Sequence, residues 1–141
     1  MAKRVRSQFW VVSTHALTTG MAVPFLAAMI ALSLIVPLGI EGLPRFLVSR
    51  ACDSAGYIGG AYVSLSFLRR STVINHPVQC TKPAVVVFVI LELFTVAGRL
   101  MAQKSSSPLA AAEIIAFYTI MAVAVAMITQ KKFADWEAAL S

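Results

Sequence analysis

The sequence predicts an all-α integral membrane protein, a four-helix bundle with both termini on the same, cytoplasmic side, and three observations carry that prediction. Of 141 residues, 59% are hydrophobic and only 13% charged, against roughly 45–50% apolar content in soluble domains. Residues 7–40 contain no Asp, Glu, Lys or Arg, and the mean hydropathy of the chain is +0.81. A spanning helix takes roughly 20 apolar residues, so this length accommodates four spans with short connections, in a single polytopic domain over residues 1–141.

The first span is predicted over residues 9–37. It exceeds one bilayer crossing and contains Pro24 and Pro37, which predicts a kink or a tilt. Its apolar run is far longer than the 7–15 residues of a signal-peptide core, so Lys3, Arg4 and Arg6 read as the flank of a retained signal anchor. The chain turns apolar within its first ten residues, which argues against a mitochondrial transit peptide. The second span, 53–68, is short and rich in Gly, Ser and Tyr, a composition suited to burial between helices. The third, 83–102, and the fourth, 108–129, each open on a proline, which is tolerated in a first helical turn because its missing N–H would be unpaired there. Beyond the last span, Phe133, Trp136 and Leu140 are expected along the membrane interface.

Charge bias sets the orientation. Lys3, Arg4, Arg6, Arg69, Arg70, Lys82, Lys131 and Lys132 fall on the side of the termini, and Arg45, Arg50, Arg99 and Lys104 on the other, eight against four. The net charge of +6 is then accounted for by topology and by anionic headgroups, without nucleic acid. The membrane itself stays open between a bacterial inner membrane, the endoplasmic reticulum and the mitochondrial inner membrane.

No metal or cofactor is expected. Cys52 and Cys80 fall at opposite ends of the spans, out of disulfide reach, and neither His15 nor His76 stands at a ligand spacing from them. A bis-histidine haem needs a second histidine at membrane depth, and His76 lies in a loop beside Pro77. His15 is expected to hydrogen-bond a neighbouring helix, with a proton relay or a ligand contact as the other readings. Gly56 and Gly60 form a small-residue face that lets helices approach closely, inside the molecule or between copies. Tyr57 and Tyr62 lie beside that face, and their hydroxyls belong either to a polar centre or to the interface.

The residues that most constrain function are Glu92, Arg99 and Glu113. An ionised side chain at membrane depth costs roughly 2.5–3.5 kcal/mol on insertion scales, so it faces a bundle interior or a wet cavity. Counted from Pro83, Glu92 is about nine residues in, near mid-membrane, and Arg99 is seven residues further on the same face. Glu113 is about five residues into the fourth span, at nearly the depth of Arg99, which predicts an Arg99–Glu113 ion pair, with Asp53 as a second acceptor. Such a pair can simply fix helix register. Glu92 has no cation at its own level, which predicts a neutral acid or a solvated pocket.

The run Leu91-Glu92-Leu93-Phe94-Thr95-Val96-Ala97-Gly98-Arg99, the turn ending in Ser107-Pro108, and Ala112-Glu113 resemble small four-span DoxX-like proteins. The resemblance extends to Asp53, Gly59-Gly60 and Arg69-Arg70, over roughly residues 50–130. It implies a four-helix membrane bundle with a polar pocket at one end, and little about chemistry. The long first span with its two prolines and His15 is not covered by it.

Two functional classes follow. The first is a non-catalytic membrane subunit or accessory protein, with lipids, further copies of itself or a larger membrane complex as partners. The second is a small membrane enzyme of acid-initiated isomerase or cyclase type, or a carrier, acting on a lipophilic small molecule. Glu92 or Asp53 would then be the acid, and Arg99 with Glu113 the positioning pair. A channel is disfavoured, since four short spans enclose no pathway without oligomerising and the halves show no repeat.

Overall fold

A computed structural model describes residues 4–102 and 107–141. Lys3 and Lys104, both counted in the charge bias, and residues 103–106, where a short polar turn is expected, lie outside the described residues. Four long helices carry the fold: α1 (Gln8–Ile35), α2 (Gly42–Ser71), α3 (Thr81–Ala102) and α4 (Pro108–Ala138). Two-residue strands, β1 (Arg4–Val5) and β2 (Thr72–Val73), pair in parallel, and a 3₁₀ turn, Pro77–Cys80, leads into α3. Three segments, Gln8–Ile35, Pro77–Ala102 and Pro108–Ala138, are long and apolar enough to cross a membrane. The protein is therefore a helical membrane protein.

Helix α1 is capped by the Ser7 hydroxyl, which accepts from the Trp10 N–H, and is interrupted by a π-turn over Thr18–Ala22. The turn answers Pro24, whose missing N–H breaks the α ladder. The Val23 N–H reaches back to the Thr18 carbonyl, a repair that proline-containing membrane helices use. A turn with Gly39 and Gly42 at positive φ (59° and 62°) reverses the chain, conformations for which glycine carries no steric cost.

Helix α2 starts at Gly42, eleven residues before the expected Asp53. Arg45 and Arg50 depress the hydropathy of that stretch, but neither breaks a helix, and Pro44 fits its first turn. Its interior face is a regular stripe of Asp53, Gly56, Tyr57, Gly60, Ser64 and Leu68 at helical spacing. Helix α1 approaches this stripe closely. A Cβ on Gly56 would meet Pro24 Cα and Ala27 Cβ at 2.9 Å, and one on Gly60 would meet Thr19 Cα at 3.1 Å, whereas Gly59 faces open space.

Helix α4 runs nine residues past the expected end at Thr129. Phe133 and Trp136 continue the buried stripe of Ile114, Tyr118, Met121, Val125 and Thr129, so they pack inward, not along an interface; Leu140 is exposed. Helix α1 packs on α2 and α3, and α4 packs on the same two. One apolar cluster joins Val11 of α1, Leu68 of α2, Ala84 of α3 and Phe133 of α4 at one end of the molecule. At that end, the Glu137 carboxylate accepts from the Val78 N–H at 2.8 Å and ties α4 to the 3₁₀ turn. A second cluster, around Tyr57, Phe88, Ile114 and Tyr118, fills the middle. Cys52 and Cys80 are both free thiols.

Candidate functional site

Polar side chains converge in three places. The first is a charged network at the end of the molecule opposite the Val11–Phe133 cluster. Arg50 Nε and Nη2 donate to the two carboxylate oxygens of Glu113, each at 2.8 Å, and Nη1 donates to Asp53 Oδ2 at 3.3 Å. Arg99 reaches the same Asp53 oxygen only at 3.9 Å. Glu113 is therefore held by Arg50, not by Arg99 as the depth argument expected. Because α2 begins at Gly42, Arg50 stands inside a helix, three residues before Asp53 and on its face, instead of in a loop. The Arg50 guanidinium also lies 4.6 Å from the centroid of the Phe117 ring, which leaves the side chain 18% exposed. Two cations and two carboxylates balance, and the planar fork of Arg50 suits such sharing.

The second place is a buried hydrogen-bond set around His15. Its Nδ1 is hydrogen-bonded to the Ser64 hydroxyl of α2, and its Nε2 to the Thr129 hydroxyl of α4 at 3.0 Å. Thr19 stands 3.4 Å from Nδ1. All four residues are buried, and the imidazole packs edge-on against Phe133. Both ring nitrogens are engaged, so the set ties three helices together and leaves no imidazole nitrogen for a ligand.

The third place is Glu92. It extends the buried stripe Ala84–Phe88–Glu92 of α3 and is 4% exposed. Neither of its carboxyl oxygens has a hydrogen-bond partner among the described residues, and the same holds for the buried Tyr118 hydroxyl. The Tyr57 hydroxyl stands beside the carboxyl without hydrogen-bond geometry. On one side, the carboxyl abuts the π-turn: a Cβ on Gly20 would lie 3.6 Å from Glu92 Oε1. On the other, Glu92 and Tyr118 line a groove of about 360 Å³ between α3 and α4. The rest of its wall is nearly all apolar, and Leu93, Ile115 and Val123 at its rim are exposed. The Thr119 hydroxyl in the wall is committed to the Ile115 carbonyl at 2.7 Å. A further cavity of about 530 Å³, between α1, α2 and α3, is lined by Gly20, Tyr57, Thr95, Asp53 and Arg99. Glu92 thus lies between an apolar groove and a more polar cavity.

Of the residues singled out from sequence, the structure brings Glu92, Tyr57, Asp53, Arg99 and Glu113 into one region and assigns His15, Gly56 and Gly60 to helix packing. Tyr62 is 44% exposed on the far side of α2, with the Lys132 ammonium 5.1 Å from its ring centroid, and takes no part in the polar centre. Arg50 and Tyr118 escaped sequence reasoning. Arg50 had a signal in its i,i+3 spacing to Asp53, and Tyr118 had one in its place on the apolar stripe of α4. Among the described residues, no group of three or more metal-ligating side chains converges. No protein-family model matches the chain, and no characterised protein or solved structure matches it significantly.

Proposed function

We propose that this protein is a four-helix integral membrane bundle, with both termini on the cytoplasmic side, that works without catalysis by holding a lipophilic small molecule in the α3–α4 groove. The molecule is apolar over most of its length and carries one hydrogen-bonding group, which meets Glu92 and Tyr118. The observation that supports this reading is the pair of buried side chains left without partners among the described residues at an apolar groove. Leaving such a group unsatisfied costs about 1–3 kcal/mol, and native structures rarely carry it without a reason. The Glu92 and Tyr118 oxygens are sealed from the groove in the empty protein, so a ligand supplies the missing hydrogen bonds, and recovers that energy, as the two side chains turn toward it. The groove, about 360 Å³, is at the small end of the roughly 300–1,000 Å³ of ligand sites. Its exposed apolar rim faces where acyl chains would lie, which supports entry from the bilayer.

Organic extraction of the purified protein, followed by mass spectrometry, tests this. Wild type should release a lipophile in near-stoichiometric amount, and Glu92→Gln should release much less while remaining folded and helical. Equal occupancy in a folded Glu92→Gln protein would overturn the proposal. Stable co-purifying chains with no lipophile would favour a structural subunit of a larger complex.

A further inference from the structure

A different surface, on the α2–α4 seam at the end of the molecule near Phe133 and Trp136, combines cations with apolar concavities. Helices α2 and α4 pack side by side; two concavities of about 460 and 540 Å³ lie on their seam, and a third of about 370 Å³, lined by α2 alone, adjoins both. Ser66 and Arg70 are shared between two of them, and Tyr62 joins the third. Arg69 and Arg70 enter from α2, and Lys131 and Lys132 from α4. None of these four cations makes a salt bridge among the described residues. Nearby acids leave them a net positive charge: Glu137 is committed to the Val78 N–H, and Asp135 is the other carboxylate on this stretch of α4. The Lys132 ammonium sits over the Tyr62 ring and pins the two helices' side chains to one another. Below the cations the walls are apolar, with Val63 and Phe67 on α2 and Met127 and Ile128 on α4.

We propose that this seam binds one anionic phospholipid, its phosphate held by Arg70 and Lys132 with the Ser66 hydroxyl as a further donor, and its acyl chains lying along Val63, Met127 and Ile128. Depth favours a lipid over a soluble phosphate. Lys131 is 23 residues past Pro108, about 35 Å at 1.5 Å per residue, where a hydrocarbon core of roughly 30 Å gives way to headgroups. Charge complementarity favours an anionic headgroup over a zwitterionic one. A basic residue near the surface is worth a factor of about five in binding an anionic lipid, and a lysine stem lies along apolar surface while its ammonium stays at the headgroup level.

Native mass spectrometry of the detergent-solubilised full chain tests this with phosphatidylglycerol and phosphatidylcholine of matched acyl chains. Wild type should retain phosphatidylglycerol at least about fivefold better. Arg70→Gln and Lys132→Gln, both at side chains that reach solvent and so able to fold, should each remove about fivefold of that retention. Lys82→Gln removes the same charge from α3 at the same end of the molecule, away from the seam, and should change retention less than twofold. Equal retention of the two lipids overturns the site, as does an effect of Lys82→Gln equal to that of Arg70→Gln. Displacement of the lipid by an equal concentration of inorganic phosphate overturns the lipid assignment.

Discussion

Replacing Glu92 by leucine should make the ligand-free protein more stable. The residue is 4% exposed and both carboxyl oxygens lack partners among the described residues, so in the empty protein the group incurs the desolvation cost of an unsatisfied carboxyl, about 1–3 kcal/mol. Leucine removes that cost and adds apolar contact with Phe88 and the π-turn. Against this stands an imperfect fit, worth up to about 1.5 kcal/mol for a side chain of similar volume. Denatured chains in micelles also find partners for a carboxyl, which trims the gain further. The net expectation is a stabilisation of about 0–2 kcal/mol, up to roughly thirtyfold in the unfolding equilibrium. Unfolding by sodium dodecyl sulfate titration in mixed micelles, on protein stripped of lipophile, reads this directly. A Glu92→Leu variant destabilised by more than about 1 kcal/mol would refute the reasoning, because it would mean that the carboxyl holds the helices together. Wild type loaded with its lipophile should recover stability that the leucine variant does not.

The same titration separates the two arginines. Glu113→Gln removes a bidentate pair to a guanidinium that is 18% exposed and should cost about 1–2 kcal/mol, whereas Arg99→Gln, losing a 3.9 Å contact at a side chain 44% exposed, should cost less than about 1 kcal/mol; the reverse order would sink the assignment. Gly56→Ala should destabilise by about 1–3 kcal/mol, since its Cβ would lie 2.9 Å from Pro24 Cα, while Gly59→Ala, meeting nothing within 4 Å, should be neutral or gain about 0.5–1 kcal/mol. His15→Ala leaves the Ser64 and Thr129 hydroxyls without their partner and opens a cavity, for an expected loss of about 2–4 kcal/mol, visible as a reduced monodisperse peak in size-exclusion chromatography.

Membrane character is legible in this chain because hydrophobic runs are additive and local: residues 7–40 announce a span whatever they pack against. That Glu92 faces inward also follows from spacing, four residues after Phe88 and eight after Ala84 on the same helix. The start of α2 was not legible, because hydropathy registers the charge of Arg45 and Arg50 but not the pairing of Arg50 with a carboxylate more than sixty residues away. The same blindness misassigned the partner of Glu113: depth alone cannot choose between two arginines at one end of the molecule, and a three-dimensional fork geometry does. Tyr118 reads as one more apolar position on the α4 stripe, and only packing shows that its hydroxyl lacks a partner. Phe133 and Trp136 lie beyond the expected end of the fourth span at Thr129, yet the helix carries its buried stripe past Lys131 and Lys132 without a break.

The π-turn in α1 also sets the helix's angular phase. A π-turn amounts to one extra residue in an α-helix, and each residue advances the helix by about 100°. N-terminal to it, α1 aims His15 at Ser64 and Thr129; C-terminal to it, α1 lays Pro24 and Ala27 against Gly56. An uninterrupted α-helix would hold those two halves about 100° out of step, so either the histidine or the proline would turn away from its partner. Inserting a further residue between Thr18 and Ala22 should therefore be far more damaging than deleting one, because a deletion closes the π-turn into a regular helix with the two halves still in phase, whereas an insertion uncouples two docking faces that α2 presents along one straight stripe.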